Sequence, residues 1–310
     1  MRLGHFDLNL LVTLDALLET KSVTRASERL CIGASATSSA LGRLREHFAD
    51  ELLQQIGRRM ELTPLAQSLV QPVRDIILRT QITVGRRPQF DPLTEKRHFV
   101  FNASDYIATV FMPKLLELLQ RDAPGITVDL LSLADNALER LERGEVDFAI
   151  FPERNSSASH SSARLFDENY SCVVWADNPV VGDSLSFDQY MELGHVAARF
   201  GATRVASFET WFLEKQEMHR RVEVTASSFN VLPGLVIGTS RIATVHSRLA
   251  HWFAQQLPLR VLPPPFEIPT LHMVAQWHKY RDEDPSHVWM RQQLATVAAQ
   301  LGAAGPAYRE

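Results

Sequence analysis

Within the stretch ASATSSALGRLR, Ser35, Thr37, Ser38 and Ser39 precede Arg43 and Arg45. Small hydroxyls can approach a base edge closely, and guanidinium groups neutralise phosphates. A short helix presenting both has the chemistry of duplex-DNA contact. Ser22, Thr24 and Arg25 just upstream, and the pair Arg58 and Arg59 just downstream, extend the set. Arg25, Arg29, Arg43, Arg45, Arg58 and Arg59 are candidates for one basic face. Chemistry of other kinds is thin. The eleven histidines are scattered, and neither a metal-type H-E-x-x-H nor a C-x-x-C occurs. There is no G-x-G-x-x-G, Walker loop or G-x-S-x-G elbow either, so neither a catalytic set nor a cofactor is expected. Cys172 lies in an apolar run and reads as a buried, inert thiol, and Cys31 as a packed turn residue.

The elements that must hold these residues lie in 7–64. Leu8, Leu11, Leu14, Leu17 and Leu18 recur at helical spacing and predict a first helix with one apolar face. Ser22 is placed to cap a second, with Val23, Ala26 and Leu30 inward. Cys31, Ile32 and Gly33 form a tight turn, and a third helix runs from about Ala34 to His47 with Ala36, Leu41, Leu44 and Phe48 as its buried residues. On that reading Thr37, Ser38, Ser39, Arg43 and Arg45 form the outer face. A helix pair joined by a short turn can place its second helix in the major groove. Leu52–Gln55 and Arg59–Leu62 read as two strands of a wing whose tip carries the paired arginines. Thr63 followed by Pro64 then starts a long helix, with Leu65, Leu69, Val73, Ile76, Ile77 and Thr80 as a stripe to about Arg86. Such a stripe suits pairing with a second copy of the chain; packing on its own chain is the plainer alternative. Pro72 lies inside that helix, and RRPQFDP at 86–92 marks a boundary.

The chain has 310 residues, is 45% hydrophobic and carries a net charge of −4, so it can bury a large core in more than one domain. Residues 1–64 hold eight Lys/Arg and eight Asp/Glu, so the remainder accounts for the whole negative charge. A neutral domain binds DNA only if its bases cluster, and two joined domains bind better than one. Two distant cysteines fit a reducing cytoplasm, and the N-terminal apolar stretch, broken by Asn9 and Asp15, reads as neither signal peptide nor membrane span.

From about residue 93, strands and helices alternate. HFVFNAS, ITVDLLSL, VDFAIFP, YSCVVWA, HVAAR, RVEVTA, RIATVH, PLRVLP and TLHMVAQW read as strands. Helices are expected between them, including one over DYIATVFMPKLLELLQRDAP, one over ADNALERLERG and one near 228–237; the Ser-rich NSSASHSS reads as a loop. The pattern argues for parallel sheets flanked by helices in two small α/β lobes.

DLNLL, the pair SVTRASERL and ALGRLR, and the wing ending in ELTP resemble the winged helix-turn-helix of LysR-type transcriptional regulators. Where that family usually has Ser-Gln-Pro, this chain has Gly33, Ala34 and Ser35, and Gln55 replaces the usual wing arginine. The likeness continues through LERGEVDFAIFP, LFDENYSCV, LGHVAARFG and RRVEV, and is nearest to the branch of nodulation activators, which also holds regulators of salicylate and nitrotoluene breakdown. It implies an N-terminal all-α winged helix-turn-helix at 1–63, a dimerisation helix at 64–92 and an α/β, periplasmic-binding-protein-like sensor at 93–310. The first lobe would take about 93–161 and 269–304, and the second about 162–268, with an effector cleft between. The resemblance further implies a cytoplasmic transcription activator or repressor, a homodimer or homotetramer on double-stranded DNA, contact with RNA polymerase, no membrane association, and a flavonoid or other aromatic effector. A regulator of aromatic catabolism is the alternative within the family. A solute-binding protein would share the two lobes but need export.

In α/β folds ligands sit at the carboxyl ends of strands. Ser104 and Asp105 hold that position in the first lobe, and Phe200, Gly201 and Thr203 in the second. Ser228 and Phe229 begin a helix, Thr244 and His246 end a strand, and Trp277 ends another. Hydroxyls suit phenolic or carboxylate oxygens, and the aromatic side chains suit a ring. Taken singly, Phe200, Phe229 and Trp277 also fit core positions, and Ser104 and Asp105 a helix cap.

Overall fold

The computed structural model describes residues 6–85, 90–132, 137–201 and 205–303. The chain falls into two compact units, Met1–Arg86 and Arg87–Glu310. Part of the expected boundary, residues 86–89, lies outside the described residues, as do Thr203 and the start of the ADNALERLERG helix.

The first unit opens with α1 (Asn9–Thr20), α2 (Val23–Leu30) and α3 (Ala34–Phe48). Leu14, Leu17, Ala26 and Leu44 are almost fully buried where these helices meet. Each buried leucine stabilises the unit by about 1.5–3 kcal/mol. Lys21 and Cys31 take left-handed backbone, at φ 49° and 52°, to end α1 and α2 within one residue. The wing follows as β1 (Leu53–Ile56) paired antiparallel with β2 (Arg59–Leu62), Ile56 opposite Arg59. Gly57 at φ 62° supplies the positive backbone angle that a two-residue hairpin turn requires at its first position.

Thr63 caps α4 (Pro64–Gly85), its hydroxyl accepting the Ala66 N–H at 3.1 Å and donating to Asp50 at 2.6 Å. The helix runs on through Pro72, which has no N–H to offer the Ser68 carbonyl; Ser68 is exposed, so the loss falls on the solvent side of the helix. The expected stripe divides. Ala66 and Val73 are buried in the first unit's own core and Leu69, Val70 and Ile77 pack against it, whereas Leu65 and Ile76 stay exposed, Ile76 at 46%.

The second unit contains two sheets. The first has the order β4-β3-β5-β13-β6, from β3 (Arg97–Ala103), β4 (Ile126–Ser132), β5 (Phe148–Pro152), β6 (Ser161–Glu168) and β13 (Leu271–Trp277). It is packed by α5 (Asp105–Val110), α6 (Met112–Asp122), α7 (Ala137–Glu142) and α11 (Pro285–Ala303). The second sheet has the order β10-β8-β11-β7-β12, from β7 (Tyr170–Trp175), β8 (His195–Phe200), β10 (Val222–Ala226), β11 (Ile242–His246) and β12 (Leu259–Leu262), with the short β9 (Val205–Ala206) on β8. The helices α8 (Phe187–Glu192), α9 (Phe208–Lys215) and α10 (Ser247–Ala254) complete this part.

Several expectations change. The sheets are mixed, because β13 runs antiparallel to β5 and β6, and β7 antiparallel to β11 and β12. Ser161–Glu168 is a strand of the first sheet, so the chain crosses to the second at Asn169, later than residue 161. The helix over 105–122 is two, broken at Phe111 just ahead of Pro113. No α-helix forms at 228–237; turns and one 3-10 turn at Gly234–Val236 replace it, between Pro233 and a left-handed Gly238 at φ 72°.

Candidate functional site

In the first unit, Ser22 caps α2, its hydroxyl accepting the Arg25 N–H at 3.4 Å. Thr24 and Arg25 are exposed beside it, and the Arg25 guanidinium reaches the Thr20 carbonyl at 2.5 Å. On α3, Ser35, Ser38, Ser39 and Arg43 are exposed together with Ala34, Ala36 and Gly42. The exposed face is therefore small residues and hydroxyls, with nothing to hold a backbone away from a base edge. Thr37 does not belong to it. It is 0% exposed, and its hydroxyl turns back to the Gly33 carbonyl at 3.3 Å. The buried face of α3 is Thr37, Leu41 and Leu44, one residue out of register from the expected Ala36 at its start. Threonine's methyl lets it substitute for an apolar residue there.

The six arginines are not equivalent. Arg29 is paired with Glu19 and with Asp15, the latter at 3.3 Å. Arg45 bonds the carbonyls of Glu51 at 2.8 Å and Leu53 at 3.1 Å, and so fixes the wing to α3. Arg43 meets Asp7 at 3.3 Å while remaining exposed. Arg58 and Arg59 stand exposed at the wing tip, and neither makes an ion pair among the described residues. Gln55, in place of the arginine usual there, bonds the Gly57 carbonyl at 3.1 Å and braces the turn.

In the second unit the carboxyl ends of β3, β8 and β11 bring several candidates together. Ser104 caps α5 through the Ile107 N–H at 3.4 Å. The next residue, Asp105, accepts from the Ser228 hydroxyl at 2.6 Å and the Asn230 N–H at 2.9 Å. Phe200 lies 4.7 Å from Phe229, and Phe229 4.6 Å from His246, between ring centroids. Gly201, at φ 66°, turns the chain beside Phe200.

Two candidates fall elsewhere. Thr244 is buried with its hydroxyl 3.0 Å from that of Tyr190 and 3.7 Å from Cys172 Sγ, inside the second sheet's own core. Trp277 sits toward the opposite end of the first sheet's strands, because β13 runs antiparallel to β5. Its Nε1 donates to Asp282 at 2.6 Å and its ring faces Phe148. Thr203 lies outside the described residues.

Several residues not singled out in the sequence join this region. Asn230 bonds both the Asp105 carbonyl at 3.3 Å and Thr109 at 2.8 Å; its place two residues after Ser228 was the available signal. Tyr106 donates to Glu168, which Arg248 pairs with at 2.9 Å. Burial, with Glu168 beside it, holds the Tyr106 hydroxyl well above the ordinary phenol range. Arg154 lies over the Trp211 ring at 3.8 Å, a contact for which the sequence offered no sign. At the crossing, the Asn169 carbonyl accepts the Ser247 N–H at 2.8 Å and its side chain accepts from Thr270 at 3.0 Å, so the two inter-sheet connections are tied together. Among the described residues, no group of three or more His, Cys, Asp or Glu is placed to hold a metal, and no helix is long and apolar enough to cross a membrane.

Comparison with known proteins agrees with both halves. Residues 8–67 match the model of the bacterial regulatory helix-turn-helix protein, lysR family, and residues 94–299 that of the LysR substrate binding domain. Nodulation protein D 1 of Rhizobium tropici is 41% identical over 301 residues, 97% of this chain and 98% of that protein. Nodulation protein D 3 of Rhizobium meliloti (strain 1021) is 40% identical over 303 residues, covering 98% and 97%. Among solved structures, a probable transcriptional regulator from Pseudomonas aeruginosa superposes with a TM-score of 0.64 at 30% identity, covering 95% of this chain and 98% of that one. A DNA-reading helix and wing at one end and a two-sheet ligand-type domain at the other, matched along nearly the full length, place this chain in the LysR family of transcriptional regulators.

Proposed function

We propose that the protein binds a partly symmetric DNA site as a dimer or a dimer of dimers and switches transcription in response to an aromatic small molecule. The observation that carries the DNA part is the exposed face of Ser35, Ser38 and Ser39 on α3, together with two exposed wing-tip arginines that make no ion pair among the described residues. The hydroxyls contact base edges. Arg43, Arg58 and Arg59, with Ser22, Thr24 and Arg25 at the start of α2, contact phosphates. Exposed Leu65 and Ile76 on α4 supply apolar surface for subunit pairing.

The effector enters between the two sheets, where Ser104, Asp105, Ser228, Phe200, Phe229 and His246 meet. The likeness to nodulation proteins supports a flavonoid-like effector and a role as activator of nodulation genes through contact with RNA polymerase. The protein acts without catalysis, in the cytoplasm and away from membranes. Closure of the cleft shifts the relative placement of subunits, and hence the bend of the DNA.

Selection from a pool of random duplexes tests the DNA part. A partly symmetric motif with two half-sites is expected, and recovery of no motif contradicts the reading. A thermal-shift screen of flavonoids, salicylates and nitroaromatics tests the effector part, since a ligand selective for the native state raises its melting temperature. No shift with any of the three classes contradicts it.

A further inference from the structure

The wing stands on a narrow base. Every residue from Gln54 to Met60 is exposed; below them only Leu52 and Leu53 are buried, with Leu62 packed against the first unit's core. The direction of the tip is therefore decided where the hairpin joins the helices. On the β2 side Lys21 pairs with Glu61, but the two side chains are 41% and 38% exposed, and such a pair contributes little. The firmer contacts are at the hairpin's two ends.

One oxygen of Asp50 gathers them. Asp50 Oδ1 accepts the Leu52 N–H at 2.7 Å and the Thr63 hydroxyl at 2.6 Å, so a single atom ties the residue before β1 to the residue after β2. The Thr63 hydroxyl accepts in turn from the Ala66 N–H, which makes the same joint the cap of α4. The Thr63 N–H also bonds the Leu52 carbonyl at 3.1 Å. Arg45, bonded to the carbonyls of Glu51 and Leu53, carries the joint across to α3.

The backbone on either side of Asp50 is unusual. Ala49 and Leu52 both take left-handed angles, φ 51° and 59°. Ala49 ends α3 in that conformation. Leu52 has no helix to end; its angle only turns the chain into β1, and a buried leucine holds it only where the surroundings fix it. Asp50 fixes its N–H and Thr63 its carbonyl.

Charge gives this carboxylate a second meaning. Removing an acid from a unit that binds a polyanion relieves repulsion and by itself raises affinity. An acid at the foot of the arginine-tipped hairpin runs against that unless it does something the arginines need.

We propose that Asp50 is a positioning residue for DNA binding: by holding both ends of the wing and the cap of α4 on one oxygen, it aims Arg58 and Arg59 at phosphates, and it acts only through them. This rests on the phosphate contacts of Arg58 and Arg59 put forward under the proposed function.

The test measures the affinity of the full-length protein for a duplex from its own upstream region at about 100 mM salt, with a melting curve for each variant. Asp50→Ala removes a negative charge and is nonetheless expected to bind about fivefold or more weakly. Asp50→Asn removes the same charge but keeps the Oδ1 acceptor, and is expected to bind within about twofold of wild type or more tightly. In a protein already carrying Arg58→Ala and Arg59→Ala, adding Asp50→Ala is expected to weaken binding by no more than about twofold. A carboxylate that merely kept the unit folded would weaken both backgrounds alike.

Undiminished binding by folded Asp50→Ala overturns the proposal. So does an equal loss in both backgrounds, or a loss that Asp50→Asn shares. If Asp50→Ala does not fold, Thr63→Val, which keeps the side chain's shape and takes the hydroxyl from Asp50, goes through the same two backgrounds with the same outcomes deciding. If Arg58→Ala with Arg59→Ala binds as the wild type does, the wing contact itself fails and the proposal with it. A loss there, with Asp50→Ala adding its own full loss, spares the wing contact and removes only Asp50.

Discussion

Residue by residue, exposure sorts contacts from supports. Thr37 stands between Ser35 and Ser38 in the sequence, yet only its neighbours face outward. Thr37→Val is therefore expected to cost at most about 1 kcal/mol of stability, the worth of one neutral hydrogen bond, and to leave base preference unchanged. Ser38→Ala is expected to leave stability alone and change preference at one position of each half-site. Binding to a set of single-base operator variants checks both; a shifted preference in Thr37→Val would reverse the assignment. The cysteines divide in the same way. Cys31, expected to pack in its turn, is instead exposed, whereas burial pushes the Cys172 thiol up to about 12. The native protein should react with one equivalent of a thiol reagent at pH 8, and with two only once denaturant is added. Two fast equivalents in the native state would contradict the buried strand placement.

For whole elements, local rules worked where one helix face meets one core. Leucine spacing located α1, Ser22 and the Cys31 turn bounded α2, and the wing followed from two short strands with paired arginines between them. Placement failed where direction in a sheet decides. Trp277 was legible as a strand end, but only the antiparallel pairing of β13 shows that this end lies away from Asp105. The strand Ser161–Glu168 begins in a serine-rich run, and Gln276 holds that run through Ser157, a partner 119 residues away. The sequence placed His246 at a strand end but did not show that it and His195 are buried. His195 at the start of β8 is pushed down to about 4 by burial and by nearby Arg220, and His246 at the end of β11 to about 3 by burial. An unfolded chain takes up these protons near its ordinary value of 6.5 while the folded one does not, so it binds more protons between about pH 6.5 and 4. Stability should fall as pH drops through that window, by up to about 1.4 kcal/mol per pH unit for each histidine. Below it Asp284, the cap of α11, takes over. Burial raises its carboxyl, but the Ser286 hydroxyl and Arg97 outweigh that and hold it at about 2. Its contribution is full above about 3.8 and is lost as pH falls toward 2. Urea midpoints measured from pH 7 to 4 check the histidines, and from pH 4 to 2 the Asp284 cap; a flat profile in the upper range would contradict the buried, neutral histidines.

For the molecule as a whole, a first segment with no net charge has to bind a polyanion. On the proposed function it does so through Arg58 and Arg59, which make no ion pair among the described residues, and by presenting more than one copy. Ile76→Asp on α4 places a charge on exposed surface and should leave each chain folded while lowering the assembly mass in solution. An unchanged mass by light scattering would remove α4 from the subunit contact. The most direct measurement is fluorescence anisotropy of a duplex from the protein's own upstream region, across a salt series from about 50 to 200 mM. Wild-type affinity should fall linearly on a log–log plot. Arg58→Ala should weaken binding to specific and random duplexes alike and make the slope shallower by about 1 for each wing engaged. No binding at the lowest salt, or a loss confined to the specific duplex with the slope unchanged, would contradict the account.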